Sequence, residues 1–314
     1  MTDAYTYEAF GSLIYWTGLT GNEFLFTGEQ WEPGVGMCQA SLARRGGHER
    51  NSDSSRERIP PHSPGQTTAM GRILWRGIRG RFLSASMVSI LVSAAVVRRQ
   101  WAVPLWPGLL FVFLGGALVH AGGNLWNDYA DELNGTDRAN SNWTPFNGGS
   151  RVIQEGLLRA GAVRLAALAC FASAMGLALA LAPAKGMGVP LLTLIGIACA
   201  LGYSSPPLWL AGRGLGEAAV GFAFGPLLCQ GTAVALSGRF SPAVFAVSIP
   251  LGFLVAAILT VNEIPDLGAD RAAGKRTLVV RRGPEKAVAI YRGLITGAFL
   301  SLALASALGP RHRL

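Results

Sequence analysis

Asn124-Leu-Trp-Asn-Asp-Tyr-Ala-Asp-Glu-Leu-Asn-Gly-Thr-Asp137 follows directly on an apolar run and carries four carboxylates, Asp128, Asp131, Glu132 and Asp137. Far downstream, Asn262-Glu-Ile-Pro-Asp-Leu-Gly-Ala-Asp270 leaves a second apolar run in the same way. From Met70 onward the chain holds only ten acidic residues. Five lie between Asp128 and Glu155, four between Glu263 and Glu285, and Glu217 stands alone. Acids this scarce, gathered at the ends of two hydrophobic segments, mark facing halves of one cation site.

The apolar runs that carry these stretches set the fold class. Seven such segments, roughly 82–97, 104–123, 161–182, 186–203, 214–236, 242–262 and 286–308, approach the length a membrane-crossing helix needs, about 20 residues. Backbone groups in lipid must pair within their own segment, so the runs are expected to be helices. Half of the 314 residues are hydrophobic and 14% are charged, whereas a soluble domain usually carries about 25%. The 41 glycines suit closely approaching membrane helices. The expectation is an all-α polytopic membrane bundle; a soluble helical protein with a large greasy core is the alternative.

Charge placement gives the orientation. The net charge of +9 comes from arginines that flank apolar segments and are not interleaved with aromatics on a soluble face, which argues against nucleic acid. Fifteen basic residues fall in the loops on one side and six on the other. By the positive-inside rule the richer side, which holds both acidic stretches, faces the cytoplasm. The four cysteines and four histidines show no metal-ligand spacing, as suits a protein of the cytoplasmic membrane without disulfides.

Residues 1–69 differ from the rest, with eight acids, five arginines and a Ser/Arg/Pro/His-rich tract from Arg44 to Gly65. They are expected to be a poorly ordered extension, with Met70 a plausible start and 70–314 the membrane domain. A small regulatory domain is the alternative.

On a helix, Asn124, Asp128 and Asp131 share one face, as do Asn127 and Asp131. In the second stretch Asn262, Asp266 and Asp270 recur every four residues, and Pro265 is expected to loosen the helix and free carbonyls. Such faces offer oxygens to Mg²⁺, which typically completes its octahedron with waters and substrate phosphates. Solvated helix ends are the plain alternative, but carboxylates near a helix C-terminus oppose the macrodipole, and repeating that arrangement calls for a cation. Arg138 and Arg151 follow the first stretch, and Arg271, Lys275 and Arg276 the second; with metal they would clamp a diphosphate. Asn147-Gly148-Gly149-Ser150 offers backbone N–H groups to phosphate, or is only a turn. Tyr203 to Pro207 and Gly212 to Glu217 lie on the same side; Arg213 and Glu217, four apart, are placed to pair. Trp126, Phe222 and Phe224 either line an apolar tunnel or simply pack.

At these residues the chain resembles the UbiA-type intramembrane prenyltransferases, most closely the 1,4-dihydroxy-2-naphthoate polyprenyltransferases of menaquinone synthesis. The resemblance runs from about residue 72 to 308. It rests on Asn127-Asp128-Tyr-Ala-Asp131 with Gly135-Thr136-Asp137, on Asp266-Leu-Gly-Ala-Asp270 continuing as Gly274-Lys275-Arg276-Thr277-Leu278, and on Tyr203–Pro207, Arg213–Glu217 and Phe224-Gly225-Pro226. Many family members carry a further Asp where this chain has Gly135, and Thr144 to Arg151 also departs from the better-known naphthoate enzymes. The family usually has nine helices; seven are counted here, so the C-terminal end is expected to be short.

The resemblance implies transfer of a polyprenyl chain from its diphosphate to an aromatic acceptor at a cytoplasm-facing cavity within the lipid bilayer. Asn127, Asp128, Asp131, Asp266 and Asp270 would hold Mg²⁺, with the four aspartates catalytic. Asn124, Asp137, Arg138, Arg151, Tyr203, Arg213, Asn262, Lys275 and Arg276, together with Asn127, would bind substrate. With 1,4-dihydroxy-2-naphthoate as acceptor, the ring carboxylate would leave as CO₂. The alternatives are another acceptor (4-hydroxybenzoate or homogentisate), a soluble isoprenoid synthase, or an inactive truncated relative.

Overall fold

The computed structural model describes residues 64–308, Pro145 excepted, and four short strands nearer the N-terminus. The chain divides into two compact units, Met1–Pro61 and His62–Leu314. In the first, β1 (Ala4–Tyr7) pairs antiparallel with β2 (Leu13–Thr17), and β3 (Trp31–Glu32) with β4 (Met37–Cys38). Residues 64–69 of the expected poorly ordered extension are helical, and apart from these and the strands it lies outside the described residues.

The second unit is helical among its described residues. It begins with α1 (Pro64–Gly77), a 3₁₀ turn (Gly80–Phe82), α2 (Leu83–Trp101) and α3 (Gly108–Asn134). After the short α4 (Thr136–Ala139) come α5 (Ala160–Lys185) and α6 (Gly188–Ser204). Next are α7 (Gly216–Phe222), a π-helical segment (Ala223–Leu227) and α8 (Leu228–Ser237). Then α9 (Pro242–Ala272), α10 (Leu278–Arg282) and α11 (Pro284–Leu308) complete the unit.

All seven expected apolar segments are helical, and six are long and apolar enough to cross a membrane. The exception is α6, whose 17 residues fall short of the roughly 20 that a span needs. Leucines and phenylalanines such as Leu165, Phe299 and Leu300 point outward, which suits a face turned to lipid. Inside, apolar side chains form the core: Ile90, Ala94 and Val97 of α2 pack with Cys229, Ala233 and Val234 of α8 and Val244 of α9.

Two details bring the acidic ends of α3 and α9 together. Gly135 ends α3 at φ 81°, a left-handed position that glycine takes without a Cβ penalty, and the chain turns at once into α4. Ser241 caps α9 by accepting from the Val244 N–H at 3.1 Å, with Pro242 at the first helical position. The helix then runs through Pro250 and Pro265 without interruption, so the loosening expected at Pro265 does not break it.

Candidate active site

A cavity of about 550 Å³ opens among α2, α3, α5, α6, α8 and α9. Its depth is apolar, walled by residues such as Val112, Leu177, Leu181, Leu192 and Leu227. Its mouth is polar and gathers Asn124, Asn127, Asp131, Asp137, Tyr203, Asn262, Asp266, Asp270 and Lys275. The two acidic stretches therefore meet, although more than a hundred residues separate them.

Lys275 makes the junction. Its Nζ lies 3.1 Å from Asp131 Oδ2 and 3.6 Å from Asp270 Oδ1. Burial works against the ammonium, but Asp131 and Asp270 outweigh it and hold Lys275 above its ordinary pKa. On the other side of Asp131, Asn127 Nδ2 donates to Oδ2 at 3.0 Å and to Ser204 Oγ at 3.1 Å. Asn124 donates to the Ile78 carbonyl at 2.8 Å.

Asp128 faces a different cation. Arg79 pairs with its Oδ1 and also donates to Asn127 Oδ1 at 2.9 Å. Burial disfavours the guanidinium charge, yet Asp128 beside it, with Asp137 and Asp131, keeps its pKa raised. In the sequence Arg79 is one of the fifteen basic residues on the richer side and reads only as a topology signal. Its place at the site follows from a left-handed backbone, φ 50°, between α1 and the 3₁₀ turn, and nothing in Gly77-Ile-Arg-Gly-Arg81 separates it from its basic neighbours.

Asp266 is held by the loop after α4. Asn140 and Asn147 each donate to its Oδ1 at 2.7 Å, and the Gly148 N–H donates to Oδ2 at 3.0 Å. Ser150 N donates to Asp128 at 3.3 Å, so the same loop reaches both acidic helices. The N–H groups of Gly148 and Ser150 thus serve the carboxylates. Gly148 and Gly149 are needed there: both have positive φ, and a Cβ would lie 2.3 Å from Asn140 Nδ2 or 2.5 Å from Asp137 Oδ2. The roles of Asn140 and Asn147 were not visible in the sequence, where asparagines in a polar loop look like ordinary turn residues.

Asp137 sits buried beneath this loop. Burial, then the nearby Asp131 and Asp128 carboxylates, push its pKa up to about 8.

Several basic candidates do not line the cavity. Arg138 is exposed and pairs with Glu132. Arg276 is exposed, its N–H donating to the Gly212 carbonyl at 3.1 Å and its own carbonyl accepting from Arg281. Arg151 is half-buried and ties the loop by donating to the carbonyls of Asp137 at 3.0 Å and Asn140 at 3.2 Å. Arg213 is exposed, and no salt bridge joins it to Glu217 among the described residues. Of the aromatics, Phe224 lines the cavity, Phe222 is exposed, and Trp126 donates to Ser205 Oγ at 2.9 Å.

The donor chemistry fits a hard divalent cation. Several carboxylate and amide oxygens converge at the mouth, and Asp128 Oδ2 is buried without a hydrogen-bond partner. Among the described residues no three acidic, histidine or cysteine side chains close on one point, and Asp131 and Asp128 are paired with Lys275 and Arg79 instead. A polar, multiply charged mouth over an apolar depth suits an amphipathic substrate with a charged head and a hydrocarbon tail.

A family model described as the UbiA prenyltransferase family matches residues 86–312. Over 235 residues the chain is 27% identical to a 1,4-dihydroxy-2-naphthoate octaprenyltransferase of Bacillus subtilis, a match covering 75% of this chain and 74% of that one. It is 30% identical over 225 residues to the protein of the same name in Mycobacterium tuberculosis, covering 71% and 74%. Its fold matches that of a UbiA homolog from Archaeoglobus fulgidus, solved bound to DMAPP and Mg²⁺, with a TM-score of 0.60 at 17% identity over 76% of this chain and 79% of that one. The family match takes in both acidic stretches, most of the first membrane-length helix and all of the other five, and on that ground this integral membrane protein belongs to the UbiA prenyltransferase family.

Proposed function

We propose that this prenyltransferase moves a polyprenyl chain from its diphosphate to 1,4-dihydroxy-2-naphthoate, a step of menaquinone synthesis, at a cavity opening to the cytoplasm. The observation that carries the reading is the meeting of Asp131 and Asp270 on Lys275 at the polar mouth of an apolar cavity. The naphthoate acceptor is favoured by the names of the Bacillus and Mycobacterium relatives.

Asn127, Asp128, Asp131, Asp266 and Asp270 would hold Mg²⁺. When bound, Mg²⁺ neutralises diphosphate charge and improves it as a leaving group. The protein's own groups do the rest. Lys275 and Arg79 sit beside those carboxylates and supply fixed positive charge for the departing diphosphate. The loop carrying Asn140, Asn147 and Gly148 fixes Asp266 against rotation. The apolar walls hold the prenyl tail and keep water from the allylic carbon.

Membranes containing the chain, given labelled polyprenyl diphosphate, Mg²⁺ and a panel of aromatic acceptors, test this. The expected result is a labelled product with 1,4-dihydroxy-2-naphthoate and release of CO₂. Product with 4-hydroxybenzoate or homogentisate alone would replace the acceptor and keep the chemistry; no product with any acceptor would contradict the reading.

A further inference from the structure

Two buried acids in this unit have no part in the diphosphate site. Glu217 opens α7 and Glu263 lies on α9, and each is 6% exposed. Glu263 lines the cavity on the face of α9 that also presents Asn262, Asp266 and Asp270. Glu217 stands behind it, and the two carboxyls face each other. Gly216 packs on both Glu263 and Tyr203: a Cβ there would lie 3.6 Å from Glu263 Oε1 and 3.4 Å from the Tyr203 ring. The charged and titratable groups around Glu263 are Glu217, Asp270, Lys275 and Tyr203.

The pair is short of donors: Thr277 reaches Glu263, but most of the carboxylate oxygens go unserved. Glu217 Oε1 and Oε2 and Glu263 Oε2 have no hydrogen-bond partner among the described residues. Arg213, four residues before Glu217, is exposed, and Lys275 is engaged by Asp131 and Asp270. A buried carboxylate short of donors is costly; one proton between the two carboxyls meets part of that cost, and the oxygens still unserved are open to a hydroxyl donor from a ligand.

Position on α9 says which part of the ligand. Asp266 and Asp270 lie toward the mouth, whereas Leu259, Ile258 and Val255 line the apolar depth. Glu263 falls between them, about 4.5 Å of helix rise below Asp266. A prenyl diphosphate with its head at the mouth and its tail in the depth places its reacting carbon at this level. The acceptor ring must come to the same level.

We propose that Glu263, backed by Glu217, holds a ring hydroxyl of the aromatic acceptor and receives its proton during transfer. The proposal rests on the reading that the acceptor is 1,4-dihydroxy-2-naphthoate. The bond between the prenyl carbon and the diphosphate oxygen breaks, and its electron pair leaves with diphosphate. The ring carbon that bears the carboxylate supplies the electron pair of the new carbon–carbon bond. The adjacent hydroxyl gives its proton to Glu263 and becomes a ketone. The ring now carries a β-keto carboxylate, which loses CO₂; the electron pair left behind restores the aromatic naphtholate. That oxygen takes the proton back from Glu263. Overall, prenyl diphosphate and the dihydroxynaphthoate yield the prenylated diol, CO₂ and diphosphate, with no net proton change on the protein. Glu217 supplies oxygens that share the proton while Glu263 holds it.

The test uses the purified full chain and two probes, 1,4-dihydroxy-2-naphthoate and its 1-O-methyl ether, which lacks the hydroxyl next to the carboxylate-bearing carbon. Fluorescence titration measures binding of each. The unmutated chain is expected to bind the free diol about tenfold more tightly than the ether. Glu263→Gln should lose that preference and lower kcat by about 100-fold, while binding of a non-reactive prenyl diphosphate analogue with Mg²⁺ stays unchanged. Glu263→Asp, which keeps a carboxylate one methylene shorter, should retain the preference at reduced kcat. A preserved preference in Glu263→Gln overturns the proposal, and so does a parallel loss of analogue binding, which marks a structural role. Binding reads this subsite independently of turnover: a chain that transfers nothing yet loses its hydroxyl preference in Glu263→Gln would refute the proposed reaction and keep the subsite.

Discussion

Lys275 is the residue on which the two acidic stretches depend, since its buried ammonium stands between Asp131 and Asp270. Replacing it with methionine keeps the bulk and leaves two buried carboxylates facing one another without a counter-charge. Lys275→Met is expected to lower the melting temperature in metal-free buffer, and added Mg²⁺ should raise it more in the variant than in the unmutated protein. Equal Mg²⁺ shifts would show that the acids do not share a cation. Asp137 gives a pH test. Its folded pKa of about 8 lies above the ordinary 3.8, so the folded state keeps a proton that the unfolded chain releases between those values. Stability from this group is present at low pH and is lost as pH rises toward about 8. Asp137→Asn should flatten that decline in a metal-free thermal denaturation series; an unchanged slope would place the titration elsewhere. Asp128, Asp131, Asp266 and Asp270 were legible because acids are so rare in this chain. Arg79 and Glu263 were not, because a side chain's partner depends on backbone turns and helix faces that meet only in three dimensions. Arg138 and Arg276 misled for the same reason: each follows an acidic stretch in sequence, but the turn after the helix points it outward.

The helices were readable from their apolar runs, but their breaks were not. The segment expected as one span over 214–236 contains a π-helical stretch at Ala223–Leu227, around Pro226, where the regular i to i−4 pattern gives way. That stretch lies against α9 at a crossing too tight for side chains. A Cβ on Gly252 would come 2.6 Å from the Gly221 carbonyl oxygen, and one on Gly225 would come 2.7 Å from the Ser248 carbonyl oxygen. Small residues at such a crossing let the backbones touch, which is how helices associate where lipid offers no hydrophobic driving force. Gly252→Val should therefore cost about 1–3 kcal/mol by overpacking, measured as a lower denaturation midpoint in detergent. Gly231→Ala, where an added Cβ meets nothing within 4 Å, is the control and should leave the midpoint unchanged. Equal behaviour of the two variants would deny the close crossing. The loop from Asn140 to Ser150 was legible only as a turn, since its Gly-Gly pair reports a tight backbone but not that the backbone's N–H groups reach Asp266 and Asp128.

At the scale of the molecule, the basic asymmetry of the loops predicts that the ends of α3 and α9 lie on the cytoplasmic side. Cysteines placed at the exposed Asn142 and Ala272 should be labelled from the same side of the membrane, and one at the exposed Arg239 from the other. Labelling of Asn142 and Ala272 from opposite sides would be incompatible with a shared site. In the proposed site, two stretches far apart in sequence grip one diphosphate. The most direct measurement is binding of a non-reactive prenyl diphosphate analogue across a Mg²⁺ titration, in the unmutated chain, Asp131→Asn and Asp266→Asn. Each substitution is nearly isosteric, and an amide oxygen is a poorer ligand for a hard cation than a carboxylate. If one diphosphate is held by both stretches, the two variants should lose Mg²⁺-dependent binding alike, each by about 100-fold. Undiminished binding in either variant would show that the two stretches do not hold one diphosphate.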